Sequence, residues 1–536
     1  MNHAKLLDCT LRDGAYLIEK NFGEANIKGI IKGLMNARID YIEIGFLQDE
    51  GGGVGKTVYL NSQDAKKYIP SKKNGCQFAV LADYSRYSID NLDYCTGDSI
   101  DIVRECFFKK ERFAVIDACR EIKKKGYKLF VQPVDILGYT DIELIEFIEL
   151  INDIEPYCLS IVDTFGSMYQ EDLHRVFEIV HHNLISTCKI GFHSHNNMQL
   201  SNALSQEFLR MTVGKRECVI DGTIAGMGRG AGNTPTELIA QYMVSRMNYS
   251  YDIDAILDVI DGYMENIKAR CSWGYSTPCF IAGAYGAHVN NVQYLTKKNS
   301  IQSKDIRYIL NKIGNEKRKR YDYDYLEQTY MDYMMSNVDD TKAKLRLGNI
   351  LNNNNVVVLI PGKTLNTYKK IIEKYINDNN SIVIGINFIS EEIQMDFVYF
   401  SNLKRYKYWE NRKAFRKVKK IITSNIKQEC EENDIISFNR LIKCGWEHMD
   451  NSAIMLFRLL DYYNLKTLAI AGFDGYSCDL GNRQNYVLPD MELSAEREEP
   501  VKLNQEIMEM MEDFYRTRKN NYDIKFITPS RFEKNY

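Results

Sequence analysis

No apolar run in this 536-residue chain approaches the roughly 20 residues an α-helix needs to cross a bilayer, so no membrane span is expected. Neither sign of charge dominates, with 69 lysines and arginines against 72 aspartates and glutamates. A general nucleic-acid binder needs an excess of cations to neutralise phosphates, and the net charge of −3 argues against one. The 13 cysteines contain no Cys-x-x-Cys pair and no regular spacing. That fits buried thiols in a reducing compartment better than a disulfide framework. The opening Met1-Asn2-His3-Ala4-Lys5 runs straight into a strand-like segment without the apolar core of a signal peptide, and a cytoplasmic protein is expected. A chain of this length exceeds one ordinary core, so two or more domains are expected.

The most informative segment present is Lys189–Asn197, which carries two histidines one residue apart, His193 and His195. In a strand, residues i and i+2 face the same side, so both imidazoles can reach one divalent cation from a single strand end. Asp13, in Thr10-Leu11-Arg12-Asp13-Gly14, adds a hard oxygen ligand. Two histidines and one carboxylate leave coordination positions open for a bidentate oxygen substrate and suit Mn²⁺, Mg²⁺, Fe²⁺ or Zn²⁺. An isolated pair of this kind reads as a solvated strand end. The order of the surrounding elements favours the metal.

In the N-terminal part, short apolar runs alternate with helical stretches. The strand candidates are Lys5–Asp8, Tyr41–Gly45, Cys76–Leu81, Ile100–Val103, Lys128–Pro133, Cys158–Asp163, Lys189–His195 and Cys218–Gly222, with Asn26–Ala37 and Phe113–Lys125 among the intervening helices. Eight strands and eight crossovers in about 250 residues give a (β/α)8 TIM barrel, whose catalytic residues sit at strand C-termini. Asp13 follows the first strand, and the two histidines close the seventh. The expected architecture is α/β: a TIM-barrel domain over residues 1–245, a helical extension and linker over 246–350, and a Rossmann-like α/β domain over 351–536.

Gly51–Thr57 ends in Gly-Lys-Thr, but a phosphate loop needs glycine at position 50, where Glu50 stands. The segment reads as a flexible loop over the barrel mouth, with Lys56 available to an anionic substrate. Lys317–Arg320 reads as a solvated helix face and Asn352–Asn355 as a linker. Val356–Leu359 then opens a doubly wound sheet, with a helix at Tyr368–Ile376 and strands at Ser381–Ile386, Asp396–Phe400, Lys419–Thr423 and Thr467–Ala471. Turns at Pro361–Thr364 and Gly472–Gly475 lie where such a sheet binds ligands, a nucleotide or sugar phosphate if it binds one; they read equally as unoccupied turns.

Thr10-Leu11-Arg12-Asp13-Gly14, Ile42-Glu43-Ile44-Gly45-Phe46, Asp163-Thr164-Phe165-Gly166-Ser167-Met168, Gly191–Asn196 and Gly226–Asn233 together resemble the motifs of the DRE-TIM (HMGL-like) metallolyases, in particular the 4-hydroxy-2-oxovalerate aldolase branch. The resemblance covers about residues 3 to 290. It implies a lyase of the aldolase type, with Asp13, His193 and His195 binding Mn²⁺ or Mg²⁺ and that metal chelating a 2-oxo acid such as pyruvate. Arg12 would stabilise the enolate that forms when pyruvate is joined to, or released from, an aldehyde. Asn233 is placed with the metal ligands, as a fourth ligand or as an outer group holding one; its Gly-rich turn reads equally as a tight loop. The resemblance also implies a homodimer.

One position departs from the family. A histidine acts there as acid/base on the 4-hydroxyl a few residues after the Arg-Asp pair, and Tyr16 stands in its place. Tyrosine is a poor base at pH 7. The proton carriers are then sought among Tyr16 itself, Tyr275, Glu43, Asp163 and His288, with Glu43, Asp163, Thr164 and His288 also expected to line the substrate. The change bears on the aldehyde more than on the enolate step, and a sugar-derived aldehyde is conceivable. Asp396–Asn402 and the segment from Ile454 to Gly475 resemble Rossmann-like domains of bacterial surface-glycan enzymes, including sialyltransferase-like ones, and imply a role in polysaccharide or modified-sugar synthesis. Two other functions fit: a Claisen-type acyltransferase using an acyl-CoA, since related synthases share the barrel and metal set, and a degenerate barrel that scaffolds the C-terminal domain.

Overall fold

The computed structural model describes residues 3–71, 75–298, 301, 303–335, 338–426, 433–446, 451–477, 485–488 and 500–533. The chain falls into two compact units, Met1–Tyr294 with Ile313–Tyr321, and Leu295–Lys312 with Asp322–Tyr536. Among the described residues no helix is long and apolar enough to cross a membrane.

The first unit contains nine parallel strands: β1 (Ala4–Asp8), β2 (Tyr41–Leu47), β3 (Val58–Tyr59), β4 (Gln77–Asp83), β5 (Ile102–Phe108), β6 (Lys128–Val134), β7 (Cys158–Asp163), β8 (Lys189–Ser194) and β9 (Cys218–Gly222). All but the two-residue β3 close into an eight-stranded barrel, because β1 pairs with both β9 and β2. This is the TIM barrel read from the sequence. The crossover helices form for local reasons. In Asp141–Asn152, Thr140 and Glu143 make a reciprocal capping box, while Leu144, Phe147, Ile148 and Ile151 put one buried stripe against the strands.

The strand period of two fixes what fills the barrel. Leu7, Tyr41, Ala79, Ile102, Phe130, Cys158 and Val219 form a dry apolar floor. Two residues further along their strands stand Glu43, Arg104, Gln132, Ser160 and Asp221, all buried, with His193 at the same level of β8. A polar layer therefore sits on an apolar one, toward the C-terminal ends of the strands. In β2 the register with β4 shifts between Glu43 and Phe46, at Gly45. Gly45 has φ +152°, and a Cβ there would lie 2.2 Å from the Thr57 carbonyl oxygen, so this bulge admits only glycine.

The second unit holds a seven-stranded, all-parallel sheet of β10 (Asn355–Leu359), β11 (Ile382–Ile386), β12 (Phe397–Phe400), β13 (Lys419–Thr423), β14 (Asn433–Ile436), β15 (Thr467–Ala471) and β16 (Asp523–Phe526). Their order is β14-β13-β12-β11-β10-β15-β16. Strand order reverses between β10 and β15, which makes that pair the switch point of an open parallel sheet. There the Thr364 N–H and hydroxyl both donate to Asp474, and the Gly362 N–H donates to the Gly472 carbonyl at 3.1 Å. The asparagine run expected to be a linker instead turns tightly into β10: Asn353 donates its N–H to the Asn464 carbonyl at 2.7 Å.

Candidate metal centre

β1 ends in Asp8, whose buried carboxyl accepts from Thr10 N–H at 3.0 Å and the Thr236 hydroxyl at 2.6 Å. These bonds turn the chain into the short helix Thr10–Asp13, which carries Arg12 and Asp13 over the barrel mouth. Across the mouth, His193 stands one residue from the end of β8 and His195 directly follows the strand, their ring centroids 5.0 Å apart. His193 Nε2 lies 3.2 Å and His195 Nε2 3.3 Å from Asp13 Oδ2.

Both imidazoles are held from behind. His193 donates its Nδ1–H to Asp221 Oδ2 at 2.9 Å, and His195 donates its Nδ1–H to the Asp163 carbonyl at 3.0 Å. With the protons on Nδ1, both Nε2 lone pairs face the aspartate. His193 Nε2, Asp13 Oδ2 and the Asn233 side-chain oxygen are buried and lack hydrogen-bond partners. The ligand atoms of Asp13, His193 and His195 converge within 4.8 Å of one another, an arrangement that fits a divalent cation. Burial pushes the Asp13 carboxyl up, but Arg12 and both histidines outweigh it and hold it well below the usual carboxylate range. Burial pushes His193 down, but Asp13 and Asp221 outweigh it, so the cluster draws positive charge to its nitrogens. Cys9, His193 and Asp221 also lie within ligating distance of one another. There, however, burial holds the Cys9 thiol protonated, and Asp221 is already committed to Arg104 and His193.

Behind the ligands runs a buried charge network. Glu43 Oε2 accepts from Arg12 Nε at 2.8 Å and from Arg104 Nη1 at 3.1 Å, and Arg104 also donates to Asp221. One chain of contacts thus joins Arg12 to His193. Arg104 and Asp221 were not singled out in the sequence. Their only signal was a charged residue at an inward strand position, and the strand read at Ile100–Val103 stopped one residue short of Arg104.

The remaining expected site residues distribute as follows. Asn233 pairs with His195 across an isolated bridge, and its side-chain amide donates to the Met227 carbonyl at 3.2 Å, leaving the oxygen free. Gly232 beside it has φ +83°, and a Cβ would lie 1.9 Å from the Gly226 carbonyl oxygen. Gly232→Ala is therefore expected to displace Asn233 and lower the unit's stability by about 1–3 kcal/mol; chemical denaturation checks this. Asp163 accepts from Ser167 N–H at 2.9 Å and Met168 N–H at 3.3 Å, and burial pushes its carboxyl up to about 6. The Thr164 hydroxyl accepts the Asp135 N–H at 2.8 Å.

Tyr16 is packed edge-on to Phe46, with the Arg229 guanidinium 3.4 Å from its ring centroid, and burial raises its phenol. His288 lies against Tyr321, accepts the Asn290 N–H on Nδ1 at 3.2 Å, and is lowered to about 4 by burial, Arg229 and His195. The basic run beneath it is docked: Lys319 pairs with Asp135 at 2.6 Å, and the Arg318 carbonyl accepts the His288 N–H at 2.8 Å. Tyr275 is 66% exposed, and no hydrogen bond, ion pair or ring contact joins it to the cluster.

Residues 3–261, which span this barrel, match the HMGL-like family. Among individual proteins, the chain is similar to the oxaloacetate decarboxylase of Mycobacterium tuberculosis, at 27% identity over 256 residues, 47% of this chain and 74% of that one. It is also similar to the 4-hydroxy-2-oxovalerate aldolase of Shewanella pealeana, at 25% identity over 332 residues, 58% of this chain and 91% of that one. A solved HMG-CoA lyase from Brucella melitensis covers 50% of this chain and 100% of its own, at 14% identity and a TM-score of 0.41.

Proposed function

We propose that the barrel is a divalent-metal-dependent lyase of 2-oxo acids that joins pyruvate to an aldehyde or releases it. The observation that carries this reading is the convergence of two imidazole lone pairs on Asp13 while both Nδ1 atoms are tied outward. A divalent cation, Mn²⁺ or Mg²⁺, held by Asp13, His193, His195 and the Asn233 oxygen, would supply Lewis-acid polarisation of the keto and carboxylate oxygens. The chain's own residues do the rest. Glu43 fixes the Arg12 guanidinium beside Asp13, where it stabilises negative charge growing on the keto oxygen as the C3–C4 bond of a 4-hydroxy-2-oxo acid breaks.

In that step the 4-hydroxyl gives up its proton. Tyr16, held protonated by burial, acts as a hydrogen-bond donor and not as the base. His288, with Nδ1 accepting from the backbone, presents Nε2–H and also donates. Asp163, whose buried carboxyl is raised above the usual carboxylate range and, among the described residues, accepts only from the backbone N–H groups of Ser167 and Met168, is the group assigned to take the proton.

The tyrosine at position 16 favours a second reading. Decarboxylation of oxaloacetate, the activity in the name of one relative, breaks the same C3–C4 bond and develops the same charge, but releases CO₂ and needs no acceptor for a hydroxyl proton. Pyruvate release, coupled to lactate dehydrogenase, separates the two. The aldolase reading expects Mn²⁺-dependent release from 4-hydroxy-2-oxo acids, lost with EDTA and lowered about 10²–10³-fold in Arg12→Gln. Release from oxaloacetate alone would move the assignment to the decarboxylase.

For the second unit we propose ligand binding at the β10/β15 strand ends, supported by the all-parallel order and its switch point there. A nucleotide or sugar phosphate as that ligand, and a place in surface-glycan synthesis, rest on the sequence pattern.

A further inference from the structure

Three cations, Lys20, Arg86 and Arg229, lie around Tyr16 at the barrel mouth, and a fourth, Lys56, acts on Lys20. Lys20 lies on the loop after β1, Lys56 on the glycine-rich loop after β2, Arg86 after β4, and Arg229 in the turn after β9. The first two loops touch, since the Thr57 N–H donates to the Lys20 carbonyl at 2.9 Å and Asn21 bridges to Lys56. The Arg229 guanidinium sits on the Tyr16 ring, and Lys20 Nζ lies 5.9 Å from that ring and 4.5 Å from the ring of Phe46.

Lys20 is half-buried, and its ammonium is lowered to about 8, first by burial and then by Arg86 and Arg229. Its hydrogen-bond acceptor is the neutral side chain of Gln48, at 2.6 Å. Among the described residues only Arg86 of the four has a carboxylate partner, Asp83 at 3.6 Å. Glu105, the next carboxyl toward the barrel, is held protonated by burial, and Glu43 and Asp13 are occupied by Arg12. Like charges that share the single carboxylate of Asp83 destabilise a fold but concentrate an anion.

We propose that the aldehyde partner of the 2-oxo acid carries a phosphate group, seated among Lys20, Arg86 and Arg229 above Tyr16. This rests on the aldolase reading. Three cations facing the one carboxylate of Asp83 suit a dianion better than a single carboxylate, and guanidinium forks match phosphate oxygens. It also gives Tyr16 a task, a flat, uncharged platform for Arg229.

The test uses the full chain loaded with Mg²⁺ and inorganic phosphate as the probe, titrated by calorimetry into wild type, Lys20→Met and Arg229→Gln. Phosphate is expected to bind each variant about tenfold more weakly than wild type. With pyruvate, glyceraldehyde 3-phosphate is expected to exceed both glyceraldehyde and succinic semialdehyde by about 100-fold or more in kcat/KM. Equal phosphate affinity in wild type and variants, or a preference for the carboxylated or uncharged aldehyde, overturns the proposal. Mn²⁺-dependent pyruvate release from 4-hydroxy-2-oxo acids by the wild type keeps the two failures apart. With that release present, these outcomes refute the phosphate assignment alone; without it the aldolase reading falls, and the assignment of the anion to an aldehyde falls with it.

Discussion

His193→Ala is expected to lower turnover by about 10³-fold or more while leaving the barrel folded. Both nitrogens of this imidazole are committed, Nδ1 to Asp221 and Nε2 to the position shared with Asp13 and His195. Truncation removes one of the lone pairs that converge there and leaves Asp13 beside a single imidazole. The fold survives because Asp221 keeps its ion pair with Arg104, so no charge is stranded. Equilibrium dialysis against Mn²⁺ should show binding to wild type and little to the variant, with near-coincident thermal melts. Unchanged Mn²⁺ binding in His193→Ala would mean that the cation sits elsewhere.

Arg104→Met should have the opposite profile, a large loss of stability, of about 3–5 kcal/mol. The Arg104 side chain is fully buried and stands between two buried carboxylates, Glu43 and Asp221. Methionine fills much of the volume but leaves Asp221 with only His193 and Glu43 with only Arg12. The remaining charges are then incompletely paired in a dry interior, where the penalty is greatest. An exposed control pair, Arg175 with Asp141, should yield no more than about 1 kcal/mol when Arg175 is replaced. Urea unfolding of the two variants gives the comparison. A loss in Arg104→Met no larger than the control's would show that the network is not what holds this layer.

The barrel was legible because its strands are buried on both faces, and such runs read as continuous apolar segments. β7 and β9 match their expected limits residue for residue. β3, β14 and β16 were not read. The first is two residues long, and β16 alternates exposed with half-buried positions at the sheet edge, too short and too polar for a period to emerge. The expected spacing of His193 and His195 came from strand geometry, and the distances follow it. Arg104 did not emerge because a lone charge after an apolar run looks like a strand end, and Asp221 because a single aspartate within a short strand carries no signal of its own. Only closure of the barrel, which brings β2, β5 and β9 together around a common axis, supplies each charge with its counterion. The exposed position of Tyr275 was equally invisible, since nothing local to its loop sets which way it faces.

Exchange of pyruvate C3 protons for deuterium, followed by NMR with and without Mn²⁺, tests the central claim most directly, because it needs no knowledge of the aldehyde. Exchange that depends on the cation and disappears in His193→Ala is the expected result. A wild type that binds Mn²⁺ yet leaves the C3 protons in place, with and without glyceraldehyde 3-phosphate present, would contradict it.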